Sequence, residues 1–190
     1  MPAIAKAAVF LDRDGTLNED PGYLDSAAKL RLLPTVREAL ELLSARGYEL
    51  IVVSNQSGVH RGLIEESEMP KIHARLNELL GGDPGGSRIG PMIRHFKLCF
   101  HRPDEGCDCR KPQPRLLLEA ARELGLDLSR SFMIGDKFSD LVVGKNAGCR
   151  GSILVRTGDG RVTESKLKPG EAAYVADSLL DAAKWILGAS

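Results

Sequence analysis

Short apolar runs alternate along this chain with stretches whose apolar residues recur every three or four positions, and that alternation narrows the fold more than any other feature. The runs lie at residues 7–11, 50–53, 131–134 and 152–155, with a more weakly patterned one at 93–100. Four to eight residues is strand length, and apolar character on both faces is what a parallel strand needs when helices cover both sides. Between the runs, Val36, Leu40 and Leu43 keep helical spacing from Pro34 to Gly47, and Met69, Ile72, Leu76 and Leu79 do so up to Gly81 and Gly82. Leu117, Ala121 and Leu124 mark a third helix that ends at Gly125, and residues 139–146 and 178–187 predict two more. Residues 81–91 hold five glycines and two prolines and predict a loop. The pattern predicts an α/β fold, a three-layer, doubly wound, mostly parallel sheet with helices on both faces. At 190 residues, one domain spanning 1–190 accounts for the chain. Sheets of this kind bind ligands at the carboxyl ends of their strands.

Charge and composition remove other classes. Twenty-six basic residues balance 26 acidic ones, so no general electrostatic hold on nucleic acid or anionic membrane is expected. No apolar run has the length to cross a bilayer. Residues 1–11 carry one cation and run straight into Asp12, which reads as a buried strand rather than a signal peptide. Three of the four cysteines fall within eleven residues, and in a chain without export signals that clustering suits a metal site better than disulfides. A cytosolic protein is expected.

The sheet makes a demand that the sequence meets: chemistry should follow the strands. The first run leads into Asp12-Arg13-Asp14-Gly15-Thr16, where a side-chain period of two allows Asp12 and Asp14 to share a face. Two carboxylates this close repel unless a proton or cation intervenes, and a hard ion such as Mg²⁺ suits oxygen ligands. The second run ends in Ser54-Asn55-Gln56-Ser57-Gly58, rich in groups that could hold an oxyanion, and the fourth ends in Gly135-Asp136-Lys137 with Asp140 one turn later. Asp, Ser, Asn and Gly also favour turns and helix N-caps. That alone does not explain Asp-x-Asp and Gly-Asp at corresponding strand ends. Asp140 is left open, as a cap, a partner of Lys137 or a support for Asp136.

Cys99-x-His101 and Cys107-x-Cys109 offer three sulfurs and one imidazole, a closed tetrahedral set for a structural Zn²⁺. Each pair is spaced by two, so an extended segment turns both side chains the same way. Free thiols, or a redox pair at Cys107 and Cys109, are the competing readings. Cys149 reads as a small buried residue, and His60, His73 and His95 as surface or satisfied core positions.

Taken in order, Asp12-Arg13-Asp14-Gly15-Thr16, Ser54-Asn55-Gln56, Arg110-Lys111-Pro112 and Gly135-Asp136-Lys137 resemble the haloacid-dehalogenase-type phosphatases. The extended match Asp12–Asn18, the loop Asp20-Pro21-Gly22-Tyr23, Ser54–Gly58 and the cysteine loop resemble, within these, the D-glycero-D-manno-heptose 1,7-bisphosphate phosphatases and the closely similar histidinol phosphatases. The resemblance covers roughly residues 7 to 158. It departs from the family pattern at Phe100 and Arg115, neither of them a candidate ligand or nucleophile. It implies Asp12 as nucleophile, forming an aspartyl-phosphate, and Asp14 as general acid and then base. It implies Mg²⁺ on Asp12, Asp136 and the backbone carbonyl of Asp14, with Lys111 and Ser54 acting on the transferring phosphoryl group. Asp20, Pro21, Gly22, Tyr23, Ser54, Asn55, Gln56, Ser57, Arg110, Lys111 and Lys137 are implied as substrate contacts. Zinc on Cys99, His101, Cys107 and Cys109 would steady the loop that carries Arg110 and Lys111.

Only about forty residues separate Asp14 from Ser54, so a capless enzyme is expected, a monomer whose selectivity comes from loops. The reaction implied is removal of the 7-phosphate of D-glycero-D-manno-heptose 1,7-bisphosphate on the route to ADP- or GDP-heptose, for lipopolysaccharide core or glycoprotein sugar. Histidinol phosphate is the second candidate substrate. A receiver-like phosphoacceptor module also clusters aspartates around Mg²⁺, but it places its acceptor after the third strand, where this chain has Cys99 and His101. A zinc-dependent nucleic-acid binder is disfavoured by the zero net charge and the lack of an aromatic stacking surface.

Overall fold

A computed structural model describes residues 5–81 and 91–188. Its six strands are β1 (Ala8–Leu11), β2 (Glu49–Asn55), β3 (His95–Cys99), β4 (Phe132–Gly135), β5 (Gly151–Val155) and β6 (Tyr174–Ala176). They form one sheet in the order β3-β2-β1-β4-β5-β6, with every pairing parallel. The helices are α1 (Val36–Ala45), α2 (Glu68–Leu79), α3 (Arg115–Leu124), α4 (Phe138–Ala147), the short α5 (Gly160–Glu164) and α6 (Leu179–Gly188).

The unbroken apolar runs have the cause expected of them, because each strand feeds two cores. Val9 and Leu11 of β1, Leu50 and Val52 of β2, and Phe132 and Ile134 of β4 pack with α1, α2 and α6. Their neighbours Ala8, Phe10, Ile51, Val53 and Met133 face the other way, onto Leu116, Leu117 and Ala120 of α3 and Val143 of α4. Each fully buried aliphatic side chain of this size contributes about 1.5–3 kcal/mol, so both faces have to be covered. The inner stripe of α3 is thus Leu116, Leu117 and Ala120, while Ala121 and Leu124 of the expected stripe are only half-buried.

Three boundaries differ from expectation in ways that matter. β2 runs on to Asn55, because Ser54 and Asn55 still pair with Leu98 and Cys99 of β3. The run at 93–100 shrinks to His95–Cys99, since Ile93 is bracketed by a side chain instead of a strand: it donates to Asn77 Oδ1 and accepts from Asn77 Nδ2, both at 2.9 Å. β6 and α5 were not foreseen, being three and five residues long, too short for a readable period. Of the glycine-rich loop expected at 81–91, all but its two end residues lies outside the described residues.

The chain walks outward from β1 to β3, returns to β4 beside β1, and walks outward again to β6. The strand order reverses between β1 and β4, and a crevice opens above their carboxyl ends. Between Asp14 and Ser54 the chain builds a loop and α1 and inserts no cap.

Candidate active site

At the end of β1, the Asp12 N–H still donates to Ile134 O of β4 (2.9 Å), so the Asp12 side chain leaves the sheet at this crevice. Its Oδ1 accepts from the Arg13 N–H (2.8 Å) and lies 3.0 Å from Lys111 Nζ. Lys111 arrives from the segment after the cysteine loop, and Asn55 fixes its backbone twice: Lys111 N–H donates to Asn55 Oδ1 (3.0 Å) and Asn55 Nδ2 donates to Lys111 O (3.2 Å). The buried ammonium also donates to Val53 O (2.8 Å) and pairs with Asp140 Oδ1 (2.7 Å). Burial works against its charge, but Asp12 and Asp140 outweigh burial and hold Lys111 above its ordinary range. It is a fixed cation.

Asp136, at the end of β4, is wholly buried. Its Oδ2 accepts from the Asp159 N–H (2.8 Å), while Oδ1 is buried with no hydrogen-bond partner among the described residues. Burial, and then the charge of Asp12, push its carboxyl up to about 7. Gly15 (φ +82°) and Gly158 (φ +53°) press against this carboxylate so closely that a Cβ on either would sit 2.3 Å from Asp136 Oδ2. Oxygens of Asp12, Asp136 and Asp140 all lie within 4.8 Å of one another. Asp140 is the one already engaged, by Lys111 and by the Lys137 N–H (3.0 Å), and the remaining pair carries an orphaned oxygen. Crowded carboxylates with an oxygen lacking a donor form a set that fits a hard divalent cation.

Asp14 stands on the pocket wall in a closed frame. Arg13 grips it with Nε on Oδ1 (3.0 Å) and Nη2 on Oδ2 (2.8 Å), Asn18 Nδ2 donates to Oδ1 (2.9 Å), and Gln56 Nε2 donates to Oδ2 (2.8 Å). Burial alone would raise its pKa, but the Arg13 charge and these hydrogen bonds overcome burial and hold Asp14 below the usual carboxylate range. Gln56 Nε2 also donates to Ser54 Oγ (2.8 Å), which leaves the Ser54 hydroxyl proton available to the pocket.

Asp12, Asp14, Ser54, Gln56 and Lys111 line a cavity of about 320 Å³ with Asp20, Gly22, Tyr23, Asn55, Ser57 and Arg110, while the wholly buried Asp136 and Asp140 lie outside its lining. Lys137 at its mouth pairs with Asp20 Oδ2 (3.1 Å), and although burial opposes its charge, Asp136, Asp12 and Asp20 push its pKa up. Pro21, expected beside them, is exposed and is not among the residues lining the cavity. The cysteine loop adjoins one side. Cys99, His101, Cys107 and Cys109 offer ligand atoms within 4.8 Å of one another, with Cys99–Cys107 at 3.6 Å, Cys107–Cys109 at 3.7 Å and Cys99–Cys109 closer, at 3.0 Å. Bonds of about 2.3 Å from a tetrahedral zinc place its sulfurs about 3.7 Å apart, so two of the three sulfur separations match and the Cys3His donor chemistry fits, while Cys99 and Cys109 would move apart to take the ion. Arg110 Nη1 donates to His101 O (3.1 Å), which ties that guanidinium to a residue of the cluster.

With this geometry in hand, the comparisons decide the family. A relative from Pasteurella multocida, D-glycero-beta-D-manno-heptose-1,7-bisphosphate 7-phosphatase, is 39% identical over 189 residues, covering 96% of this chain and 98% of its own. The chain belongs to this phosphatase family. A second relative, the D-glycero-D-manno-heptose-1,7-bisphosphate 7-phosphatase of Thermosynechococcus vestitus, is 38% identical over 95% of each chain. A HAD-hyrolase-like family model matches residues 108–182. The solved D,D-heptose 1.7-bisphosphate phosphatase of B. bronchiseptica, complexed with magnesium and phosphate, superposes with a TM-score of 0.85 at 31% identity, covering 97% of this chain and 99% of that one. This phosphatase is therefore a phosphoric monoester hydrolase, and the reading of it as a phosphoacceptor module rather than an enzyme falls away. No helix among its described residues is long and apolar enough to cross a membrane.

Several residues of the phosphatase site were missed in the sequence. Arg13 and Asn18 lie inside quoted motifs but had no assigned task. The segment after β5 was not singled out, yet Thr157 Oγ1 donates to Gly15 O (2.6 Å) and Thr163 Oγ1 of α5 to the backbone Asp136 O (2.8 Å), so it clamps the motif turn to the end of β4. Gly158-Asp159-Gly160 directly after a strand was the available signal. Asp140, left open, caps α4 and pairs with Lys111 rather than with Lys137.

Proposed function

We propose that this phosphatase removes the 7-phosphate of D-glycero-D-manno-heptose 1,7-bisphosphate through an aspartyl-phosphate on Asp12, as a single-domain cytoplasmic monomer supplying nucleotide-activated heptose synthesis. The reading is supported by the near-full-length relatives, which carry that activity in their names. One structural observation carries the chemistry: a buried Asp12 carboxylate 3.0 Å from a buried Lys111, beside the orphaned oxygen of Asp136.

Mg²⁺ held by Asp12, Asp136 and the Asp14 carbonyl would offset the repulsion between an anionic ester and a carboxylate nucleophile. Asp12 attacks phosphorus, while Lys111 balances the charge on the transferring group. Ser54 donates its free hydroxyl proton to a phosphoryl oxygen, aligned by Gln56 on its lone pair. Asp14 protonates the departing sugar oxygen and then takes a proton from the water that hydrolyses the acyl phosphate. A phosphate arriving beside Asp14 adds negative charge and favours its protonated form. Arg110 and Lys137 stand at the mouth as two cations for the second phosphate, with Arg110 suited to a bidentate grip. Zn²⁺ on the cysteine loop would hold the Arg110 segment in place.

Asp12→Asn should abolish turnover while leaving the fold intact; substantial remaining activity removes Asp12 as nucleophile. Specificity constants on heptose 1,7-bisphosphate and histidinol phosphate test the substrate. We expect at least about a hundredfold preference for the sugar, since a second phosphate has two cations to meet. The reverse preference would overturn the substrate assignment.

A further inference from the structure

Arg13 carries a full positive charge into the protein interior, and nothing in the steps above uses it. Its side chain is 0% exposed. One edge of the guanidinium is closed on Asp14 by two hydrogen bonds, one to each carboxylate oxygen, and Nη2 also donates to Gln56 Oε1 (3.0 Å). Gln56 in turn donates to the same Asp14 oxygen, so Arg13, Gln56 and Asp14 form a closed triangle, with Asn18 on the opposite oxygen. Nη1 points away towards the Met69 sulfur of α2 (3.9 Å). A planar fork set against a carboxylate fixes its plane as well as its position, which an ammonium cannot do.

We propose that Arg13 is a positioning residue for Asp14, setting the carboxyl plane and depth at which the proton reaches the departing oxygen. The proposal rests on the acid–base reading of Asp14 given above. In the first half-reaction the ester P–O bond breaks as the Asp12–phosphorus bond forms, and the leaving oxygen takes the Asp14 proton. In the second, water bonds to phosphorus, its proton goes to Asp14, and the Asp12–phosphorus bond breaks. Both transfers fail if the carboxyl is turned from the reacting oxygen, since proton transfer needs hydrogen-bond reach. Phosphorus capture by Asp12 does not need Arg13.

Leaving-group dependence separates positioning from a structural role. A sugar alkoxide needs a proton to depart; 4-nitrophenolate does not. First-turnover release rates are measured on a sugar phosphate and on 4-nitrophenyl phosphate for the wild type, Asp14→Asn, Arg13→Met and Arg13→Lys. Arg13→Met should slow sugar release by roughly a hundredfold, the usual worth of a placed acid, and nitrophenolate release by less than about threefold, with KM for both nearly unchanged. Arg13→Lys keeps the buried charge, so it tests the fork even if the Met variant does not fold. It should show the same selective loss at smaller size. Equal losses on both substrates, or none on either, would overturn the proposal, because a residue that merely holds α2 to the motif turn has no reason to distinguish leaving groups. Asp14→Asn tells the two ideas apart: selective loss there but not at Arg13 overturns Arg13 alone, and none there removes the acid–base reading and this proposal with it.

Discussion

Gly158 sits with φ +53° between two groups that cannot move away, its missing Cβ falling 2.3 Å from Asp136 Oδ2 and 2.6 Å from Gly15 Cα. The residue after it then places its N–H on Asp136 Oδ2 and leaves Oδ1 bare. One carboxylate oxygen is thereby engaged by the protein, and the other would be left for the proposed Mg²⁺. Gly158→Ala should weaken Mg²⁺ binding by about tenfold or more, as loss of an outer partner of a metal ligand commonly does. The left-handed backbone alone would reduce stability by about 1–2 kcal/mol. Calorimetric titration of Mg²⁺ checks this, and unchanged affinity would show that the clamp on Asp136 does not shape the site. The Gly158-Asp159-Gly160 run marks a turn in the sequence but not its role, which depends on β5 lying beside β4.

The elements divide the neighbouring pocket cations Arg110 and Lys111 between separate supports. Lys111 is held by Asn55 at the end of β2, by Val53 O and by Asp140 of α4, none of which belongs to the cysteine loop. Arg110, one residue earlier, donates to His101 O inside the cluster. Loss of zinc should therefore loosen substrate binding more than chemistry. Cys109→Ser should lose bound zinc and raise KM for the bisphosphate about tenfold, the worth of one charge-assisted contact, with kcat within a few-fold of wild type. Metal content and steady-state rates read this out; a collapse of kcat with KM unchanged would mean that the loop supports Lys111 after all. The cysteine spacing made the cluster legible, since four ligands in eleven residues need little tertiary help. Which cation it serves was not legible, because Arg110 and Lys111 are adjacent in the chain and diverge only through their partners.

At the scale of the whole molecule, α2 is docked with a titratable group inside the interface. His73 stacks on Phe96 of β3 with ring centroids 3.9 Å apart, and its Nε2 is buried with no hydrogen-bond partner among the described residues. Burial, and then the charge of Arg13, push it down to about 4, with Asp14 opposing. The unfolded chain takes up this proton near pH 6.5 and the folded one only near 4, so the stability from a neutral His73 is complete above 6.5 and declines as pH falls towards 4. His73→Phe should remove about 2–3 kcal/mol of that acid-side loss without altering stability at pH 8 by more than about 1 kcal/mol. Denaturant unfolding at pH 8, 6 and 4.5 measures it, and parallel losses in both proteins would mean that His73 is not kept neutral. In the sequence His73 was one unpartnered histidine among several, and only packing against β3 set it apart. The same division runs through the molecule. The order of apolar runs, the Asp-x-Asp and Gly-Asp strand ends and the paired cysteine spacings determined the parallel sheet, the carboxylates at its strand ends and the Cys3His cluster, because each is written in short stretches of chain. The Arg13–Gln56–Asp14 triangle, the Asp140–Lys111 pair and the turn at Gly158 were decided by tertiary structure alone. The pairing of β1 with β2 brings Gln56 to Arg13 and Asp14, and the reversal of strand order between β1 and β4 brings Asp140 to Lys111 and the β5 turn to Gly15.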